Sequence, residues 1–197
     1  MLKTHIWPTV FSCLRRRRFL LLLFVALIWQ SPAYAQFTVI DGKTKILSES
    51  LSISARCNLD LTPEVEEALN NGIELHLIFQ FRLYMVRPFI WDNRLADWEQ
   101  GFILKYHSLY DQYLLIDDST NEQESFISVR EAMESLSDFK TTLPAITTTL
   151  PKSESGYRMG MRVRLNKNKF PSPLKLLGEI SPSWDLDSSW KLWPVVD

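Results

Sequence analysis

The chain has 197 residues, with 22 Lys and Arg against 23 Asp and Glu, two cysteines and six glycines. Charges this nearly balanced argue against a nucleic-acid-binding domain, and two cysteines cannot build a disulfide scaffold. The apolar share of 46% supports one ordinary packed domain.

The amino terminus reads as an export signal. Arg15 to Arg18 form a basic block, residues 19–29 (FLLLLFVALIW) are an apolar run, and Ala33-Tyr34-Ala35 fits a small-x-small cleavage site. That order predicts a secretory signal peptide over residues 1–35, cleaved after Ala35, and a periplasmic protein. The run of 11 residues is short of the roughly 18 to 20 that a membrane-spanning helix needs. An envelope protein anchored by an uncleaved signal is the alternative. The expected mature domain, residues 36–197, holds 17 basic and 23 acidic residues, net −6. Cys57 is its only cysteine, so no disulfide forms within it.

Residues 37–47 alternate weakly around Asp41-Gly42, which reads as a turn. Residues 51–59 alternate cleanly and predict a strand with Cys57 on the buried face. Thr62-Pro63 opens a short helix that Gly72 ends: Thr62 caps it, Pro63 suits the first helical position, and Gly72 accepts a left-handed conformation. Residues 73–86 are apolar at every odd position, with Glu74, His76, Gln80, Arg82 and Tyr84 between them. This predicts the long central strand of the domain.

Residues 88–93 (PFIWDN) form an aromatic loop, and residues 95–109 read as the returning strand. The alternation continues to Ile116, so either one long bent strand or a break near Ser108 to Asp111 is expected. Residues 117–121 are a turn, and 122–127 a short strand. Ser128 with Glu131 matches a capping box at the head of a helix over 129–137. Residues 140–156 read as an irregular connection. Residues 157–165 alternate again, with Arg158, Arg162 and Arg164 facing away from the apolar side and Gly160 among them. Residues 174–180 form a short helix or strand, and Trp184, Trp190 and Trp193 fold back on the sheet.

These pieces predict an α+β fold: a mostly antiparallel, twisted sheet of about six or seven strands, sandwich-like or half-barrel, with two short helices. Several of them, in order, resemble the DUF4390 family of uncharacterised exported bacterial proteins. They are the signal peptide, Ala68-Leu69 with Gly72, Arg87-Pro88, residues 104–109 with Gln112-Tyr113, residues 161–165, and Trp184 with Ser189-Trp190-Lys191. The resemblance implies no activity, cofactor or catalytic residue. It implies at most an accessory role beside a membrane sensor histidine kinase.

No catalytic constellation stands out. His76 and His107 would meet if their strands paired, with Glu74 close by, and could form a metal site or an envelope enzyme's centre; there is no HExxH or CxxC spacing to support this. Asp97 and Glu99 share a strand face but read as solvated carboxylates. No catalytic, metal or cofactor residue is assigned. The partner-binding candidates are Arg158, Arg162 and Arg164, suited to an acidic envelope protein or anionic headgroups, and Phe89 and Trp91 at the hairpin tip. The alternative for the arginines is ion pairing with Asp117, Asp118, Glu122 and Glu124.

Overall fold

A computed structural model describes residues 36–47, 50–89, 91–144, 156–172 and 181–196. The expected signal peptide and the expected element at 174–180 lie outside these residues. The elements in chain order are β1 (Thr38–Leu47), β2 (Ser50–Asn58), α1 (Pro63–Asn70), β3 (Leu75–Met85), β4 (Asn93–His107), β5 (Gln112–Asp117), β6 (Gln123–Phe126), α2 (Val129–Ser137), β7 (Asp138–Pro144), β8 (Tyr157–Leu165) and β9 (Lys191–Val196).

The period-two pattern of β3 becomes the centre of the core. Leu75, Leu77, Phe79, Phe81 and Leu83 are fully buried, while the residues between them are half-buried on the other face. Hydrogen bonding orders the sheet β6-β5-β4-β3-β8-β9-β1-β2-β7. Every pairing is antiparallel except β1 with β9, which is parallel.

β7 ends the order, yet its Phe139 ring stacks on Phe79 of β3 with centroids 4.5 Å apart. Phe139 also meets Phe81 and Phe102. A terminal strand reaches the middle of its own sheet only if the sheet curls back on itself, and the result is a half-barrel around one apolar core. α2 leads from β6 directly into β7, from one end of the strand order to the other, and buries Ala132, Met133 and Leu136.

The caps form as the sequence dictates. Thr62 Oγ1 accepts from the Val65 N–H at 3.3 Å, and Gly72 adopts φ 88°. Ser128 Oγ accepts from the Glu131 N–H, while Glu131 Oε2 accepts from the Ile127 N–H, one residue before the position a capping box would use.

Three expectations need correction. Asp41-Gly42 is not a turn: the chain runs through it as strand, with a bulge between Val39 and Asp41. A Cβ on Gly42 would lie 2.5 Å from the Trp193 ring, so this glycine serves close packing. The Trp193 Nε1–H donates to the fully buried Thr44 hydroxyl at 2.8 Å. Of the two forms expected of the returning strand, the broken one is found: it divides at residues 108–111, giving β4 and β5. The expected connection over 140–156 begins as β7; residues 145–155 of it lie outside those described. The tail adds β9, so the sheet has nine strands rather than six or seven.

Candidate interaction surface

The outward face of β3 carries His76, Ile78, Gln80, Arg82 and Tyr84, and pairing fixes what lies beside each. Gln80 sits between Glu99 of β4 and Arg162 of β8, Arg82 between Asp97 and Gly160, and Tyr84 between Arg94 and Arg158; Ile78 lies beside Arg164. The arginine strand therefore borders the polar face of the central strand.

Four of these arginines are ion-paired. Arg82 Nε lies 2.9 Å from Asp97 Oδ1, Arg164 Nε 3.2 Å from Asp187 Oδ2, and Arg158 Nη1 3.4 Å from Asp92 Oδ2. Arg94 also reaches Asp97, at 3.3 Å. Arg162 differs: its Nε donates to Gln80 Oε1 at 2.5 Å, and the Gln80 amide donates in turn to Glu99. Among the described residues no carboxylate pairs with it directly. Burial first, then repulsion from Arg164 and Arg82, weakens the hold of Arg162 on its proton.

The alternative of ion pairing thus holds in kind, with different partners. Asp117 ends β5 and Asp118 follows it, and Glu122 and Glu124 flank or lie on β6. Two strands, β3 and β4, separate β5 from β8, so at about 4.8 Å per strand these acids are well outside reach. Burial pushes the Asp117 carboxyl up, but hydrogen bonds led by those from Ser119, with Gln100 and Thr120 adding, outweigh it and hold the group below its ordinary value.

Trp190 completes the face. Its ring lies 4.1 Å from the Arg82 Cζ and 4.8 Å from the Arg162 Cζ. Such cation–π contacts favour the guanidinium charges where their pairing is incomplete. Gly160 makes the room: a Cβ there would lie 2.9 Å from Leu192 Cδ2, 3.3 Å from Tyr84 Cε2 and 3.4 Å from Trp190 Cε3. Trp190 was not among the expected contact residues. The glycine within an otherwise bulky strand was the available signal, because it marks a close approach.

The β3–β4 loop continues this surface. Phe89 and Trp91 are exposed to 105% and 92% of their reference areas, so neither ring packs on the domain. Phe89 has φ 67°, a left-handed conformation that costs a bulky residue about 1–2 kcal/mol. The Arg158–Asp92 pair ties this loop to β8. The two predicted groups, the arginine strand and the aromatic tip, are therefore brought together.

The histidines are not. His76 aligns with Ile103, whereas His107 lies four residues further along β4 and aligns with Gln112. That offset is about 13 Å at the rise of a strand. Glu74 does approach His76, at 3.9 Å, but His107 instead meets the Tyr110 ring at 4.8 Å. Burial holds His76 below its ordinary value, against the opposing pull of Glu74. The shared His76–His107 centre is thus corrected, and among the described residues no group of three His, Cys, Asp or Glu is placed to hold a metal. Asp97 and Glu99 are engaged by Arg82 and Gln80.

A cleft of about 290 Å³ lies where β7 faces β4 and β5, lined by Phe102, Leu115, Asp117, Phe139 and Lys140 among others. Gln100 spans it, donating to Asp117 at 2.7 Å and accepting from Thr141 at 2.9 Å. It joins the two walls.

A family model described as a domain of unknown function, DUF4390, matches residues 35–194. No curated protein and no solved structure is similar enough to match the chain.

Proposed function

The chain belongs to the DUF4390 family, and on that premise we propose that it is an exported, periplasmic accessory or binding module of the bacterial envelope, without catalysis of its own. The observation that carries this reading is the continuous surface formed by the arginine face, Trp190 and the aromatic tip, joined through Arg158 and Asp92. Exposed aromatic rings beside guanidinium groups are the residue types that concentrate binding energy at contact surfaces. Arg162, which no carboxylate among the described residues pairs directly, is the cation best placed to take an acidic group from a partner.

The test is crosslinking in cells, with partners compared between the native protein and the triple variant Arg158→Glu, Arg162→Glu, Arg164→Glu. A membrane sensor histidine kinase is the first partner to look for, since the family resemblance implies that association. The reading expects at least one partner to be lost on charge reversal. An unchanged set of captured partners, from a variant that still folds, contradicts it.

A further inference from the structure

We propose that Phe89 and Trp91, at the hairpin tip, form a wedge that seats in the headgroup layer of an anionic bilayer; this rests on the envelope location proposed above. The first argument is shape and area. The two rings offer about 300–500 Å² between them, well short of the roughly 800 Å² that each side of a stable protein interface supplies. They stand at the end of a hairpin whose β4 arm pairs with β5 only from Phe102 onward, so residues 93–101 project beyond β5. β8 flanks the β3 arm as far as Met85, so the exposed point is the two rings themselves, and two rings suit insertion between headgroups better than a flat protein contact. Tryptophan in particular favours the interface between lipid and water.

The second argument is charge. Among the described residues, Arg82, Arg87, Arg94 and Arg158 lie behind the tip with two acids, Asp92 and Asp97, in a domain whose expected net charge is −6. The chain has placed a local cationic collar behind exposed rings while its surface as a whole is acidic. Basic residues close behind interfacial aromatics attract anionic lipid and set the depth of insertion. The third is strain. Phe89 holds a left-handed backbone conformation while its ring packs against nothing in the domain. The folded domain gains no contact from this costly arrangement, and a bilayer would supply one.

The experiment uses the full chain expressed with its own leader, in a Cys13→Ser background; Cys57 is buried. An environment-sensitive fluorophore is attached at Phe89→Cys or, as a control, at Leu109→Cys, which is exposed at the opposite end of β4. Each is mixed with vesicles of phosphatidylcholine alone or with phosphatidylglycerol. The proposal expects the label at 89 to shift to the blue with phosphatidylglycerol vesicles and much less without it, while the label at 109 stays at its value in water. Adding Trp91→Ser to the Phe89→Cys form should weaken partitioning about tenfold. A label at 89 that remains in water, or labels at 89 and 109 that shift alike, overturns the wedge. If position 89 remains in water while the arginine face still captures a charge-sensitive protein partner, the wedge fails and the binding-module reading stands. If capture also fails, both are wrong.

Discussion

Arg158 Nη1 lies 3.4 Å from Asp92 Oδ2 although the two residues are 66 apart in the chain, and this contact joins the hairpin tip to the arginine strand. Both side chains are partly exposed, so the pair is a positioning contact more than a source of stability. A double-mutant cycle with Arg158→Ala and Asp92→Ala should give a coupling of about 0.2–1 kcal/mol by denaturant unfolding. The coupling should shrink with added salt.

The tip itself predicts an unusual substitution. Phe89→Asn removes a ring that touches nothing and suits the left-handed backbone better. The variant should be more stable than the native protein by about 0.5–1 kcal/mol, read as a higher urea midpoint at an unchanged slope. The same change should weaken whatever contact the tip makes. Stability and binding would then move in opposite directions at one residue.

Closure of the curled sheet depends on Phe139. Its ring meets Phe79, Phe81 and Phe102, which belong to two strands distant in the hydrogen-bonded order. Phe139→Ala should cost about 3–5 kcal/mol in chemical unfolding. Phe139→Leu, which keeps much of the volume, should cost clearly less.

Cys57 sets an alkaline limit. Burial above all, with the nearby Asp41 carboxylate adding, pushes its thiol from an ordinary 9.0 up to about 12. Below the ordinary value both folded and unfolded chains hold the proton, and stability does not depend on it. Between the two values the unfolded chain has lost the proton and the folded chain keeps it. The folded state then binds more protons, and stability falls as pH rises, by about 1.4 kcal/mol per pH unit from this group. Cys57→Ala should flatten the alkaline loss measured by unfolding across that range. An identical slope in the variant would show that the thiol is not its source.

Local patterning made much of the fold legible. β3, β2 and β8 carry clean alternation, and both helices announce their starts with Thr62-Pro63 and with Ser128 and Glu131. What the sequence concealed depends on contacts between distant residues. β7 follows α2 with no intervening loop, so Phe139 gives no sign that it will stack on Phe79. β9 contains Pro194, which ordinarily argues against a strand inside a sheet. Asp41-Gly42 reads as a turn until the Trp193 ring is seen to occupy the space beside Gly42.

The candidate surface divides the same way. The common outward face of Arg158, Arg162 and Arg164 follows from strand periodicity alone. Their partners do not, because Asp92, Gln80 and Asp187 come from three separate segments. The sequence also placed His76 and His107 on pairing strands, correctly, but it could not supply the register that sets them four residues apart.

On the reading proposed above, one continuous surface, from the tip to the arginine face, makes the contacts of this protein. The most direct measurement is site-specific photocrosslinking in growing cells, with the reactive group placed in turn at Trp91, Arg162 and, for comparison, Leu109. Capture of envelope components, lipid or protein, is expected from positions 91 and 162, with little or none from 109. Capture from Leu109 alone, or equal capture from all three positions, would contradict it.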